Sequence, residues 1–240
     1  RQEPEILWRG LGSELVGTKY QQLMPWVKPC ALENEKIVVK EDEAFRVIPG
    51  DYVTTEDGTG IVHIAPTFGA DDAKVAKDAG IPSLFVIDKA GDTRPMVDFT
   101  GKYFVREDMD ENFVQLCVQE SYWKYSGEYV KNAYSPKYNQ DGKYDEKAAQ
   151  KDMDLNVVLC IAMKEEGTAF RIEKHVHNYP HCWRTDKPVL YYPLDSWFIR
   201  SSAAKERMTE LNKTILWKPE STGTGRFGKW LENLNDWNLS

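Results

Sequence analysis

Apolar residues in the N-terminal part of the chain occur in short runs that turn residues separate. Four such runs lie at residues 36–40, 44–48, 61–65 and 83–87. They are rich in Val, Ile and Phe, and Pro49, Gly50 and Pro66 interrupt the pattern. Short β-branched or aromatic runs between turn residues are typical of strands. The pattern therefore predicts a β-rich region over residues 5–65, and one further strand after it.

Helical patterns occupy five later segments, at residues 70–79, 107–124, 150–166, 201–213 and 226–235. The first has Asp71 and Asp72 in its first turn and Gly80 where a C-terminal cap belongs. Asp110 is a candidate N-cap of the second helix, and Gly167 ends the third. Strands and helices are thus both expected in this chain.

Two segments between the predicted helices have other patterns. Residues 125–145 are rich in Tyr, Lys, Asn, Asp and Gly, which predicts a solvated loop or insertion, and we assign it no role. Residues 170–177 suit a strand, and residues 219–225 form a loop between the last two helices. No internal repeat is recognisable.

Composition restricts the class of protein. The 240 residues are 41% hydrophobic and 29% charged, which is typical of a folded soluble protein with a sizeable core. No apolar run reaches the roughly 20 residues needed to cross a bilayer. The net charge of −7 argues against a broad duplex-binding face, although a local basic groove could hold a single-stranded end. The four cysteines have no C-x-x-C spacing, so we expect a reducing cytoplasmic setting.

Three sequence blocks carry a family resemblance. The first is G-T-G-I-V-H-I-A-P-T-F-G-A-D-D, at residues 58–72. The second is N-Y-P-H-C-W-R-T-D-K-P at residues 178–188, followed by S-W-F-I-R at 196–200. The third is R-F-G-K-W-L at residues 226–231, followed by D-W-N-L-S at 236–240. These blocks resemble the editing domain, or connective polypeptide, of class I isoleucyl-tRNA synthetases.

The resemblance implies a fold and a domain organisation. His63 favours the isoleucyl enzymes over the valyl and leucyl ones, which share the G-T-G opening. The implied architecture is α+β, with a β-barrel-like editing core and peripheral helices. Residues 1–190 would form this core, and residues 191–240 a stalk that returns to the synthetase catalytic core. The family's upstream threonine-rich T-T-P-W-T segment is absent and Arg1 replaces an initiator Met, so we expect an N-terminally truncated piece of a longer synthetase.

Asp72 is the residue that the resemblance assigns to the ammonium group of the substrate, as a catalytic and binding residue. A carboxylate is ionised at neutral pH, and the first turn of a helix stabilises its charge. A charge-assisted hydrogen bond to an ammonium contributes roughly 1.5–3 kcal/mol. The alternative is a helix-start carboxylate without a ligand, which is the role we assign to Asp71.

His63 is the second residue that the resemblance assigns to the catalytic pocket. It implies that the imidazole sizes the pocket and helps to exclude isoleucine, and we do not assign it as a general base. Nine extended residues span about 30 Å, so only the turn at residues 65–69 can bring His63 close to Asp72. The alternative is a histidine packed in the core.

Three further residues are candidates for substrate binding. Thr67 and Phe68 lie in the turn between His63 and Asp72, and their alternative role is turn packing. Tyr179 matches a family tyrosine close to the pocket.

A metal site is not expected. Potential ligands cluster near the second block, at His175, His177, His181 and Cys182. Their H-x-H-x-x-x-H-C spacing matches no standard zinc module, so strand and turn packing is the preferred interpretation. The ATP-binding motifs of the synthetase core are also absent. The resemblance therefore implies no cofactor for editing, and ATP and Mg²⁺ bound by the parent synthetase outside this chain.

The function that the resemblance implies is hydrolysis of the aminoacyl ester of Val-tRNA(Ile). Binding discriminates poorly against one missing methylene, and double-sieve editing, of which isoleucyl-tRNA synthetase is a known example, destroys the wrong product in a second site. The expected partners are the valine-charged acceptor end of tRNA(Ile) and the rest of the synthetase, and no membrane. One alternative is a module that only binds the acceptor end, and another is an independent hydrolase.

Overall fold

The computed structural model describes residues 5–56, 59–140, 143–174 and 176–239. The chain divides into two compact units, Arg1–Pro193 and Leu194–Ser240. Helices and short strands occur in both, which confirms the α+β class. The editing-core and stalk roles given to residues 1–190 and 191–240 stay predictions.

The strands of the described residues form three separate two-stranded antiparallel sheets rather than a closed barrel. Their members are β1 Cys30–Glu33 with β2 Lys36–Val39, β3 Val86–Ile87 with β4 Thr93–Arg94, and β5 Phe198–Ile199 with β6 Trp237–Asn238. The β1–β2 hairpin turns at Asn34 and Glu35, whose φ values of 50° and 63° suit a two-residue turn that continues the strand twist.

The helices of the first unit are shorter than the predicted segments. They are α1 Ala70–Asp78, α2 Glu111–Cys117, α3 Glu146–Lys151 and α4 Leu155–Glu165. Asp110 caps α2 as predicted, since its Oδ1 accepts a 2.8 Å hydrogen bond from the backbone N–H of Phe113. The predicted helix 107–124 is wrong in its extent, because Val118 adopts an extended backbone that ends α2. A 3₁₀-helix, Glu120–Lys124, follows.

The core of the first unit lies between β1, β3 and α2. Its fully buried side chains include Val27, Val86, Phe113, Cys117 and Tyr122. The Tyr122 hydroxyl donates a 2.8 Å hydrogen bond to the carbonyl of Phe104, so this buried polar group is satisfied. Burial raises the pKa of Tyr122, and proximity to Tyr103 adds to that effect.

The described residues of the segment 125–145 are more ordered than the solvated loop that we predicted. Two 3₁₀-helices, Asn132–Tyr134 and Pro136–Tyr138, occur there, and Ala133 and Tyr138 are buried. The Asn132 amide donates hydrogen bonds of 2.9 and 3.1 Å to the carbonyls of Ala149 and Asp152. These bonds join the segment to α3, which explains its order.

The second unit consists of α5 Lys205–Asn212, α6 Ser221–Thr224, α7 Arg226–Glu232 and the β5–β6 pair. Asn212 is its buried polar residue. The Asn212 side chain donates to the Gly223 carbonyl at 2.8 Å and accepts from Trp217 Nε1 at 2.9 Å. It thereby connects α5 to α6, within the segment 219–225 that we expected to be a loop.

Three predicted strands are wrong. The run at residues 44–48 forms only an isolated bridge, between Arg46 and Lys19. Residues 61–65 have no strand pairing, and neither do the described residues of 170–177. Most of their apolar side chains are exposed, with Val62 54% and Phe170 fully exposed. A strand needs a neighbouring strand for its backbone hydrogen bonds, and none of the described residues supplies one here. In the described part of the chain, no helix is long and apolar enough to cross a membrane.

The β3–β4 turn provides a test of stability against pH. Asp88 Oδ1 accepts hydrogen bonds from the N–H groups of Ala90 and Asp92, at 2.9 and 3.0 Å, and Oδ2 accepts one from Arg94 Nε at 2.9 Å. Burial acts to raise the pKa of Asp88, but the bond from Arg94 and the two backbone bonds outweigh it, so the pKa lies below its usual value.

We expect Asp88→Asn to lower the free energy of unfolding at pH 7 by about 1–3 kcal/mol, because the charged partner of Arg94 is lost. A lowered folded-state pKa contributes stability above the unfolded-state value of about 3.9 and loses it as pH falls through the folded-state pKa. The difference from wild type should therefore shrink below about pH 4. Urea unfolding of wild type and Asp88→Asn, at pH 7 and below about pH 4, measures this difference in the free energy of unfolding. Asp92→Asn, at the exposed second carboxylate of Arg94, is the control, and an equal effect of both changes would contradict the prediction.

Candidate functional site

The candidate site is built on the turn that leads into α1. The backbone N–H of Ala65 donates a 2.9 Å hydrogen bond to Asp72 Oδ2, and that of Phe68 donates one of 3.0 Å to the Ala65 carbonyl. Gly69 precedes α1 in an extended conformation, and a Cβ there would lie 3.3 Å from the Asp72 carboxyl carbon. The turn therefore wraps closely around the Asp72 carboxylate.

Asp72 is half-buried in the first turn of α1. Within the part of the chain that the structure describes, the bond from Ala65 is the hydrogen bond recorded for its side chain, and Oδ1 has none. The positive end of the helix dipole stabilises a negative charge here. Asp71, also in the first turn, is exposed. Asp72 thus combines partial burial with a free carboxylate oxygen.

The other turn residues differ in their exposure. Thr67 is half-buried, and its hydroxyl donates a 2.7 Å hydrogen bond to the carbonyl of Leu84, which attaches the turn to the segment before β3. Phe68 and His63 are exposed. The hydrogen bond between Ala65 and Asp72 closes the turn at residues 65–69 onto the first turn of α1. It leaves the His63 ring on the surface of this chain.

The C-terminal end of α1 is also held. Arg46 Nη2 donates a 2.6 Å hydrogen bond to the carbonyl of Ala79, and Gly80 has the positive φ of 67° that a C-terminal cap requires. The predicted end of the helix is confirmed. Arg46 itself was missed, because a contact between residues 33 positions apart leaves no local signal in the sequence.

Tyr179 occupies a separate group of contacts. Its hydroxyl donates a 2.9 Å hydrogen bond to the Val189 carbonyl, and Lys131 Nζ lies 4.7 Å from its ring centroid. The ring also packs edge-on against Tyr191. Burial, and then the neighbouring Tyr191, raise the pKa of Tyr179. The contacts recorded for Tyr179 among the described residues do not include the turn around Asp72.

The second block does not gather metal ligands in the part of the chain that the structure describes. His181 Nδ1 lies 3.0 Å from the Asp186 carbonyl, as part of a turn. Hydrogen bonds from the Thr185 side chain and from the backbone of Arg184 and Thr185 lower the pKa of Cys182. His175, which the sequence analysis included among the candidate ligands, lies outside the described residues.

A comparison with protein families identifies the class. The profile of class I tRNA synthetases (I, L, M and V) matches residues 14–240. The chain therefore belongs to this family.

Comparison with individual proteins shows which members of this family the chain resembles. The chain is 69% identical to an isoleucine--tRNA ligase of Bacteroides thetaiotaomicron over 230 residues, which cover 95% of this chain and 20% of that protein. It is 58% identical to one of Porphyromonas gingivalis, over 97% of this chain and 19% of that protein. A Clostridium tetani isoleucine--tRNA ligase is 38% identical, over 99% of this chain and 17% of that protein. The chain is thus homologous to part of isoleucyl-tRNA synthetase and spans about a fifth of these relatives' length.

Proposed function

We propose that this chain is the editing part of an isoleucine--tRNA ligase and hydrolyses the aminoacyl ester of Val-tRNA(Ile). The observation that carries the proposal is the Asp72 carboxylate at the start of α1, with one oxygen on the Ala65 N–H and the other open. Such an oxygen can accept from the α-ammonium of the esterified valine. In the parent synthetase, residues 61–65 and 170–174, which form no strand here, would gain strand partners and complete the barrel-like domain.

The reaction proposed is attack of water on the ester carbonyl carbon. The new C–O bond forms from the water oxygen, the bond to the ribose oxygen breaks, and the proton released by water ends on that ribose oxygen. Asp72 holds the ammonium and so fixes the carbonyl, which is a positioning effect. Thr67 and Phe68, which lie in the same turn, and Tyr179, in the second block, are the other residues proposed to contact the substrate. No protein nucleophile is part of this mechanism, and ATP and Mg²⁺ belong to the aminoacylation site of the parent.

His63 sets the size limit in this proposal. We propose that its ring borders the space in front of the Asp72 carboxylate, since His63 lies two residues before Ala65, which is hydrogen-bonded to Asp72. A bulky ring there leaves room for valine and excludes the extra methylene of isoleucine. Because one methylene changes binding by only about 1–3 kcal/mol, steric exclusion by the His63 ring would be the more effective filter.

The test is His63→Ala in the full-length parent synthetase. Wild type should deacylate Val-tRNA(Ile) and spare Ile-tRNA(Ile), whereas the variant should hydrolyse both because the smaller side chain admits isoleucine. Deacylation is followed with each labelled aminoacyl-tRNA. His181→Ala, at an exposed histidine of the second block, is the matched control and should leave Ile-tRNA(Ile) intact. Full protection of Ile-tRNA(Ile) in His63→Ala would remove His63 as the filter.

The rival function is acceptor-end binding without turnover. The same experiment separates the two, because a binding module would bind Val-tRNA(Ile) and leave its spontaneous hydrolysis rate unchanged. Deacylation by wild type that is no faster than in buffer would favour the rival.

A further inference from the structure

The ordered segment 125–138 borders a cavity that is separate from the turn around Asp72. The cavity has a volume of about 530 Å³, within the roughly 300–1,000 Å³ of small-molecule sites. Its apolar lining includes Tyr125 and Leu155, both buried, and the half-buried Tyr129. None of these residues belongs to the blocks that define the family resemblance.

The backbone holds Tyr129 in place. Residues 127–130 pair with residues 101–103, where the N–H of Tyr103 donates to the Glu128 carbonyl and that of Val130 donates to the Gly101 carbonyl, both at 2.9 Å. Lys102 and Tyr129 form the antiparallel bridge between them. Since its backbone is hydrogen-bonded on both sides, Tyr129 presents its ring from an ordered segment rather than from a free loop.

The charges around the cavity nearly cancel. Lys137 Nζ lies 2.6 Å from Asp152 Oδ2, so this pair neutralises itself. Lys124 and Glu128 are the remaining charged groups of the lining, one of each sign. A phosphate would meet no net positive charge, which argues against an anion site. A neutral ring that carries both donors and acceptors on its edge fits this lining.

We infer that the cavity binds an unpaired nucleobase, stacked on Tyr129, from the single-stranded acceptor end of the tRNA. Every base has a face that can stack on an aromatic ring. The edge of adenine or cytosine can donate its exocyclic amine to Glu128 and accept from Lys124. This inference rests on the proposed function, because that function supplies the RNA.

Continuity with Tyr179, in the second block, supports this occupant. Lys131 lies two residues after Tyr129, and its Nζ is 4.7 Å from the ring of Tyr179, the tyrosine assigned to the substrate pocket. One short segment therefore contacts both the cavity and Tyr179. A base held at Tyr129 would keep the neighbouring nucleotides of the same strand beside the second block.

The experiment uses this chain and the trinucleotide CCA, in which the fluorescent base 2-aminopurine replaces adenine. Stacking quenches the fluorescence, so titration gives a dissociation constant without any ester hydrolysis. Tyr129→Leu should weaken binding by about 5- to 150-fold, the equivalent of one stacked base. Tyr129→Phe keeps the ring and should keep binding. Tyr52→Leu, at an exposed tyrosine outside the cavity, is the matched control and should bind as wild type does. Thermal unfolding checks that each variant is folded.

Several outcomes would overturn the inference. Unchanged binding in folded Tyr129→Leu would exclude stacking on this ring. Displacement of the probe by inorganic phosphate would make the cavity an anion site, and displacement by free valine would make it an amino-acid site. Failure of the proposed function has a different signature, because the full-length enzyme would then lack deacylation while CCA binding to Tyr129 persists.

Discussion

Asp72→Ala should greatly lower the rate at which the full-length synthetase deacylates Val-tRNA(Ile). Loss of one charge-assisted hydrogen bond alone corresponds to about 10- to 150-fold. The loss should exceed this range, because alanine also removes the acceptor of the Ala65 N–H and frees the turn that the carboxylate holds. Isoleucine activation, measured by pyrophosphate exchange, should be unchanged. Near-normal deacylation by Asp72→Ala would rule out Asp72 as the ammonium anchor.

Two further variants separate the ligand role of Asp72 from its structural role. Asp72→Asn keeps an oxygen that can accept from the Ala65 N–H and loses the charge, so a purely structural residue would be rescued by it. An ammonium anchor would not be, because the amide lacks the charge that strengthens the bond. Asp71→Ala is the matched control, since Asp71 shares the first turn of α1 and is exposed. We expect it to deacylate as wild type does.

The elements predicted correctly are those with local signals. The helix α1 has two acidic residues in its first turn and Gly80 after its end, and the structure confirms both boundaries to within a residue. Asp110 is a cap that can be recognised from the residue type and position alone. These signals act within one turn of the chain, and so they are independent of the rest of the fold.

The elements that were missed depend on distant partners. The run 61–65 has the composition of a strand, but a strand forms only where another backbone supplies the hydrogen bonds. The order of residues 125–138 depends in part on Asn132, whose amide contacts carbonyls 17 and 20 residues away. The attachment of Thr67 to Leu84 has the same long-range character. Sequence periodicity contains no information about which distant group completes such a bond.

The candidate site also has a part with local sequence signals and a part that depends on distant residues. The neighbourhood of Asp72 was predictable because the turn at residues 65–69 is local, and the hydrogen bond from Ala65 closes it. Tyr179 lies more than 100 residues further along the chain, and its contacts are with its own block and with Lys131. The family resemblance brings these two residues to one pocket, and the described contacts hold each in its own group.

The second prediction with a large expected effect concerns two exposed apolar runs, which contain Val62 and Val176. Val62 and Val176 are exposed by 54% and 84%, in runs whose composition is that of strands. The resemblance places a threonine-rich segment upstream of the matched residues, and the relatives are about five times as long as this chain. Paired with these runs, such a segment would cover their apolar side chains and add hydroxyl and backbone groups to the wall of the pocket that faces Asp72.

We therefore expect this 240-residue chain alone to deacylate Val-tRNA(Ile) at least about 100-fold more slowly than a polypeptide that also includes the threonine-rich segment implied by the family resemblance. In the proposed mechanism Asp72 would still hold the ammonium of the substrate, but the ester carbonyl and the attacking water would lack fixed partners. Orientation can contribute roughly 7–11 kcal/mol to a well-positioned reaction, so a partial loss is enough for this effect. The exposed runs should also make the shorter chain self-associate, which sedimentation velocity would detect. Equal deacylation rates for the two polypeptides would show that the pocket is complete without the added segment.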